Sequence, residues 1–292
     1  LDLYSIQGRP STDPDNNKYI DRFSTGFSMS ASKQFDFISK NVGIIFEPKI
    51  QFSSVFSPDR TDQVPNRDSS EFRLDQANLF LNNQYQGRDN IQENDRVNAG
   101  FTSLIMTEKF GDINFFIGQS QKISGTQKNI SNANLNRQSH IINSVTWYHN
   151  SLLNFSWFSL YNHHDLKSET SDLKLNGSLD DWAYSVSHKS VDGSFISNNT
   201  DREELNLEIS KNFANWKTLY NRTYDLNNNN EEVIAETLGL EYKGSGYMFG
   251  NCLTVLFEYK SSGGVADRDI VPEDSIYITF NFRNLGDTVY QP

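Results

Sequence analysis

Apolar and polar residues alternate with a period of two along most of this sequence. Near the C-terminus, one face of an extended segment collects only apolar side chains: Ile276, Ile278, Phe280 and Phe282. Segments centred on Phe27, Phe101, Ile117, Leu207 and Phe257 repeat the pattern. Successive side chains of a β-strand point to opposite faces, so this spacing predicts strands with one apolar face each. Helical spacing is hard to find, and the chain is therefore predicted to be all-β.

The amino-acid composition restricts the class of protein to which such strands can belong. The 292 residues are only 36% hydrophobic, yet they include 21 Phe and 13 Tyr, which an acidic disordered chain would lack. The net charge of −11 argues against a nucleic-acid-binding protein. No apolar stretch is long enough for a membrane helix, and the start at Leu1 without a Met or a signal peptide suggests a mature or truncated chain. We expect a folded chain without an ordinary apolar core.

Turn signals separate the alternating segments, for example Phe110-Gly111-Asp112, Asp192-Gly193 and Lys243-Gly244. Short connections alternate with longer polar ones such as residues 58–70 and 261–274. A strand of roughly 10 residues with one short and one long connection per hairpin uses about 40 residues. The sequence therefore predicts about a dozen antiparallel strands.

Two architectures use such strands throughout. A soluble sandwich buries its apolar faces inside, whereas an outer-membrane barrel turns them towards lipid and keeps polar side chains in its lumen. Here the polar faces are rich in Ser, Thr, Asn and Gln, and aromatic residues such as Trp182, Tyr220 and Tyr259 stand near strand ends. This arrangement is typical of membrane-interface girdles. It favours the transmembrane barrel over the sandwich.

Motifs for chemistry are weak. His163 and His164 are the most suggestive pair, but adjacent residues of a strand point to opposite faces and would not chelate a metal together. The acidic residues of the loop around Asp267 are more typical of solvated loop charge than of a cation site. We therefore expect no enzyme, no catalytic residues, no metal and no cofactor.

Cys252 is the only cysteine in the chain. It cannot form an internal disulfide, and a single thiol in an exported chain suggests pairing with another polypeptide segment. The alternative is that Cys252 is a small buried apolar residue.

Several short blocks then resemble, in order and spacing, the family of the lipopolysaccharide-assembly outer-membrane protein LptD, also called OstA or Imp. They extend over most of the chain, weak individually but specific together: Phe46–Gln51, Val64–Ser69, Asn78–Phe80, Gln84–Asp89, Glu93–Gly100, Ile117–Ser120, Asn251–Cys252, Phe257–Tyr259, Asp267–Pro272 and Leu285–Gly286. Cys252 stands alone where some members carry adjacent cysteines.

The resemblance implies an antiparallel transmembrane β-barrel of the outer-membrane type. Members of the family have a periplasmic jellyroll and about two dozen barrel strands. Residues 1–292 would then form the C-terminal portion of the barrel domain, without the jellyroll and the first strands. A partial sheet leaves unpaired edges that lipid does not tolerate, so this portion would need its missing half or close into a smaller barrel.

The resemblance also implies a function in the bacterial outer membrane. A non-enzymatic translocon would pass lipopolysaccharide through its lumen and out through a lateral gate into the outer leaflet. Its partners would be a plug lipoprotein, LptE, and a periplasmic bridge protein, LptA, and Cys252 would form a disulfide with the N-terminal periplasmic region. The last strand, residues 275–283, would form one side of the gate with these residues: Ile276, Tyr277, Ile278, Thr279, Phe280, Asn281 and Phe282.

Two other classes of function stay open at this point. A general porin or uptake channel would have a constantly open aqueous lumen. A soluble β-rich adhesin or binding module would keep the protein out of the membrane.

Overall fold

The computed structural model describes residues 2–7, 21–56, 70–71, 73–82, 85–86, 94–124, 139–193, 200–227, 232–244, 253–263, 272–282 and 286–290. Over these ranges the regular secondary structure consists almost entirely of β-strands. No helix among these residues is long and apolar enough to cross a membrane.

The chain divides into two compact units. Unit 1 comprises Leu1–Val145 and Phe158–Glu169, and unit 2 comprises Thr146–Trp157 and Thr170–Pro292. All strand pairs with a defined residue register are antiparallel.

Unit 1 begins with strands that follow the order β1-β2-β4-β7-β8, and β3 pairs with β4. Two short strands, β5 and β6, form a separate sheet. The bounds of these strands are β1 Asp2–Gln7, β2 Asp21–Ser32, β3 Phe35–Ile38, β4 Val42–Phe56, β5 Ser70–Glu71, β6 Tyr85–Gln86, β7 Asp95–Thr107 and β8 Gly111–Ser124.

The remaining strands follow one another in chain order, each beside its predecessor. β9, β10 and β11 contribute residues to both units, and β12 to β18 belong to unit 2. Their bounds are β9 Ile141–Tyr148, β10 Asn154–Tyr161, β11 Ser168–Leu179, β12 Trp182–Val191, β13 Arg202–Phe213, β14 Trp216–Asp225, β15 Glu232–Lys243, β16 Leu253–Ser262, β17 Glu273–Phe282 and β18 Gly286–Tyr290.

A proline explains why β2 and β3 are separate strands. The ladder between β2 and β4 ends at the pair Ser32 and Lys49, and β3 resumes the same register at Phe35 and Phe46. The interruption lies opposite Pro48, which has no N–H for a partner strand. Only the proline carbonyl is used there, because it accepts a hydrogen bond from the Lys33 amide at 3.4 Å.

Connections of two lengths follow the strands. Short turns join β7 to β8, β11 to β12 and β13 to β14, whereas longer segments follow β8, β12 and β16. Gly111 closes the turn between β7 and β8 with a φ of 75°, a left-handed conformation that favours glycine. This alternation of turn lengths is the one predicted from the sequence.

The predicted all-β, antiparallel fold class is confirmed. Sixteen described strands belong to the main sheet, more than the dozen expected. The difference comes from short elements such as β1, β3 and β18, which have too few residues to show a convincing alternation.

One expectation about the C-terminal strand is wrong. The segment at residues 275–283 was predicted to be the last strand, but β18 follows it and pairs with β17 from Ile278 to Phe282. The physical reason is that Gly286–Tyr290 supplies five more residues of extended backbone, which satisfy hydrogen-bonding groups that β17 would otherwise leave open.

We predict that Gly111→Ala lowers the free energy of unfolding by about 1–2 kcal/mol, because a Cβ strains a left-handed residue. Unfolding of the detergent-refolded, full-length protein in urea measures the loss. Gly26→Ala is the matched control, since a Cβ there meets its nearest atom at an ordinary 3.6 Å. Equal stability of both variants would contradict the prediction.

Candidate functional site

The register of unit 2 sorts its side chains into an apolar and a polar face, because paired residues of an antiparallel ladder lie on the same face. One row across β17 to β11 is almost entirely apolar or aromatic: Ile276, Tyr259, Leu238, Tyr220, Ile209, Tyr184 and Gly177. The next row is polar: Ser275, Lys260, Thr237, Asn221, Glu208, Ser185 and Asn176. The alternation read in the sequence thus becomes two continuous surfaces.

The side chains on the apolar face of unit 2 are exposed. Ile276 is 58% exposed, Leu238 49% and Ile209 43%, so these side chains are not packed in a protein core. Contiguous exposed apolar surface of this kind marks contact with a membrane or a partner.

Aromatic and cationic side chains stand near the short-turn ends of the same face. The rings of Trp216 and Tyr242 lie 4.8 Å apart, and the Lys211 ammonium is 4.7 Å from the Trp182 ring centre. Such groups are typical of the membrane–water interface, where an apolar ring and a polar tip are both satisfied.

The polar face of unit 2 is linked by hydrogen bonds and ion pairs. The Asn206 amide donates to Asn221 Oδ1 at 2.9 Å and to Thr223 Oγ1 at 2.8 Å. Lys260 lies 3.4 Å from a carboxylate oxygen of Glu258 two residues away on the same strand. These neutral and charged groups form a hydrophilic wall.

In unit 1 one face of β4, β7 and β8 carries polar side chains such as Gln51, Asn98 and Ser120, and we call it the polar face of unit 1. Residues 73–82, which we call the inner segment, partly cover this face. The segment has a local turn of its own: Asp75 Oδ1 accepts hydrogen bonds from the amides of Ala77 and Asn78 at 2.8 and 2.9 Å. The Leu79 amide then donates to the Asp75 carbonyl at 3.0 Å. Asp and Asn favour such turns because their side chains bond the nearby backbone.

Two glycines on the polar face of β7 and β8 make room for the inner segment. A Cβ at Gly118 would lie 2.6 Å from a methyl carbon of Leu79, and one at Gly100 would lie 2.9 Å from the ring of Phe80. Phe116 closes the same depression, and Leu79 is fully buried. The absence of two side chains therefore creates an apolar seat on an otherwise polar face.

Polar contacts fix the segment beside this seat. Arg96 donates to the carbonyls of Leu81 and Asn82, the latter at 2.8 Å, and Gln51 donates to the Phe80 carbonyl at 2.9 Å. Asn98 connects this group to its neighbours, because its amide donates to Gln51 Oε1 at 2.9 Å. The Asn98 oxygen accepts from the Ser120 hydroxyl at 2.6 Å.

A histidine cluster lies in unit 1 near the turn between β10 and β11. The rings of His163 and His164 are 3.8 Å apart, and Glu169 contacts His140 and accepts a hydrogen bond from Asn162 at 2.8 Å. Burial, followed by the charges of His164 and His140, lowers the pKa of His163. The two adjacent histidines lie in a turn rather than on the strand assumed from the sequence, and turn geometry brings their rings together. No group of three such side chains within the described ranges could hold a metal ion.

The site residues chosen from the sequence have different outcomes. Residues 276–282 lie in β17, with Ile276, Ile278, Phe280 and Phe282 on its apolar face, but their role in a gate stays a prediction. Cys252 lies outside the described residues, so its disulfide also stays a prediction.

The inner segment and the anchoring role of Arg96 were not predicted, although Asn78–Phe80 and Glu93–Gly100 served as family blocks. Gly100 and Gly118 were an available signal. They are glycines inside strands, which often mark close approach of another chain segment.

Strands with an open apolar face on one side and a hydrophilic face on the other define an outer-membrane type of β-protein. The family model described as "LptD: LPS transport system D" matches residues 2–229. The chain therefore belongs to the LptD family, as its sequence blocks suggested.

One solved structure similar to this chain is a crystal structure of a BenF-like porin from Pseudomonas fluorescens Pf-5. The two are 10% identical with a TM-score of 0.33, over 99% of this chain and 96% of the porin chain. No curated protein sequence matches significantly.

Membership in the LptD family makes this a lipopolysaccharide-transport protein of the bacterial outer membrane. The predicted location and general role are confirmed. Transport proteins of this family are not an enzymatic class.

We predict that Leu238→Arg destabilises the folded protein in lipid by about 2–4 kcal/mol if the site lies near the bilayer midplane, because arginine is costly on a lipid-facing surface. Thr237→Arg is the matched control: it is the adjacent residue but belongs to the polar row. Folded and unfolded fractions in vesicles over a denaturant series, followed by heat-modified electrophoretic mobility, measure both variants. Equal effects at the two positions would contradict the assignment of faces.

Proposed function

We propose that the protein is the C-terminal barrel portion of a translocon that carries lipopolysaccharide to the outer leaflet through a hydrophilic lumen and a lateral gate. The observation that carries this proposal is the pair of faces in unit 2. The polar row suits the saccharide of the substrate, and the apolar row suits its acyl chains and the surrounding lipid. No covalent bond needs to change during such transport.

A lateral gate requires a seam between two strands that can part. Parting exposes backbone N–H and C=O groups that have no water partners in lipid, so a seam must be weaker than the rest of the ladder. The β17–β18 pair of unit 2 fits this requirement, because it extends over only five residues. We place the seam between β17 and β18 and assign residues 276–282 of β17 to one side of it.

Three further features of the proposal come from the family resemblance. They are the plug lipoprotein LptE in the lumen, the bridge protein LptA at the periplasmic side, and a disulfide from Cys252 to the N-terminal periplasmic region. Membership in the family supports each of them.

We predict that Ile278→Pro reduces surface lipopolysaccharide and lowers the heat stability of the barrel. Proline removes an N–H donor from a residue paired with both Phe257 and Tyr290. A surface-specific lipopolysaccharide probe on intact cells that depend on the variant measures export, and heat-modified electrophoretic mobility measures stability.

Ile278→Ala is the control for this substitution, since it shortens the side chain but keeps the N–H. A proline variant with normal export and normal heat stability would sink the gate assignment. An equal loss in the alanine variant would assign the effect to side-chain packing instead.

We predict that Cys252→Ser abolishes one disulfide of the full-length protein. Non-reducing electrophoresis should then show a mobility that differs from the natural protein, and reduction should remove the difference. Identical non-reduced mobility would count against a bridge from Cys252.

A further inference from the structure

We propose that Arg96 is a positioning residue that holds the inner segment closed over the polar face of unit 1, and that an anionic saccharide releases the segment by binding the Arg96 guanidinium. The proposal concerns the regulation of the transport path. Its second part rests on the proposed passage of a saccharide along the polar face.

Arg96 is a buried cation in contact with the inner segment. Its side chain is 1% exposed, although a cation is costly to remove from water. Its guanidinium donates to the carbonyls of Leu81 and Asn82 at the C-terminal end of the inner segment. The arginine therefore joins β7 directly to the backbone of the segment.

The inner segment is not hydrogen-bonded into the main sheet as a strand. Residues 73–82 form turns, not a strand of the main sheet, and are held by the glycine seat and by donors such as Gln51 and Arg96. Lifting the segment would break no pair of the β7–β8 ladder. The segment can thus leave while the wall beneath it stays folded.

Positively charged side chains share the face that the inner segment covers. Lys122 is the register partner of Arg96, and the Lys49 ammonium lies 4.5 Å from the Phe80 ring, so three cations share the face that the segment covers. Glu47 and Asp112 on the same face pair with positions nearer the β7–β8 turn, and Asp75 of the segment uses its carboxylate to accept the Ala77 and Asn78 amides. A local cationic group within a chain of net charge −11 suits an anionic guest.

Arg96 can donate hydrogen bonds to either of two acceptors, the backbone carbonyls of the segment or a phosphate group on a saccharide. Backbone carbonyls are neutral, whereas a phosphate group on a saccharide is charged and can bind guanidinium through two parallel hydrogen bonds. A phosphate should therefore compete with the segment for Arg96. Once the guanidinium is taken, the segment loses its charged hydrogen-bond donor and keeps the apolar seat, the Gln51 hydrogen bond and the Lys49–Phe80 contact.

Hydrogen exchange of the full-length protein in detergent, read by mass spectrometry on peptides covering residues 73–82, tests the first part. The amides of Leu79 and Leu81 are hydrogen-bonded within the segment and should exchange slowly in the natural protein. Arg96→Met should accelerate their exchange about tenfold, the effect expected for losing a hydrogen bond to a charged group. Arg222→Met is the matched control, because Arg222 is a cation of β14 in unit 2 that pairs with Glu236, and it should change nothing here.

A second pair of variants tests the seat without touching the arginine. Leu79→Asp places a charge in the buried seat and should release the segment, whereas Ala77→Asp alters an exposed position of the same segment and should not. Exchange of residues 73–82 should accelerate with Leu79→Asp and stay unchanged with Ala77→Asp. Unchanged exchange in Arg96→Met would overturn the proposal.

The saccharide arm uses deacylated lipopolysaccharide oligosaccharide that keeps its phosphates, with the phosphatase-treated oligosaccharide as its control. The phosphorylated probe should accelerate exchange of residues 73–82 in the natural protein and in Arg96→Lys, which keeps the charge. It should have no effect in Arg96→Met. Equal effects of the two oligosaccharides would overturn the role of the anion.

Surface lipopolysaccharide tests the proposed function, and hydrogen exchange of residues 73–82 tests the role of Arg96. Failure of the proposed gate appears as normal surface lipopolysaccharide together with normal heat stability in the Ile278→Pro variant. Failure of the present inference appears as unchanged exchange in the inner segment, which requires no export to be measured.

Discussion

The antiparallel ladder with alternating side chains is the constraint on which the rest of the structure depends. Each strand in it has backbone groups that must pair with a neighbour, and its side chains must then point alternately to two sides. Because the register aligns like with like, Leu238 joins Tyr220 and Tyr259 on one face, and Thr237 joins Asn221 and Lys260 on the other. A shift of one residue would turn every apolar side chain to the polar side.

This constraint explains why a low hydrophobic content is compatible with a folded protein. In an ordinary domain the apolar faces would have to cover one another, but here side chains such as Ile276 remain open. Membership in the LptD family places the protein in an outer membrane, where lipid covers these faces and hydrogen bonds of the ladder hold the strands together. Among the residues whose side chains the structure describes, fully buried apolar side chains are few, and several of them belong to the inner segment and its seat.

The inner segment packs against the polar face of unit 1 through both apolar and polar contacts. Two glycines provide depth, Phe116 provides an apolar side, and Arg96, Gln51 and Asn98 provide polar contacts around it. The apolar seat resists release, whereas the arginine offers a point at which a charged guest can compete. The apolar seat therefore stabilises the closed position of the segment, and Arg96 is the site at which an anionic ligand can displace it.

The sequence by itself determined the all-β class, the apolar and polar positions of strands such as β7, β13, β16 and β17, and the presence of both short and long connections. These properties depend on near neighbours along the chain, so the pattern at Ile276–Phe282 or Leu253–Tyr259 was sufficient. The family blocks added the outer-membrane role. Only the tertiary structure decided that Pro48 separates β2 from β3, that β18 follows and pairs with β17, and that His163 and His164 meet in a turn. It also decided that Leu79 rests against Gly118, because a loop's position depends on contacts between residues far apart in the chain, which periodicity does not record.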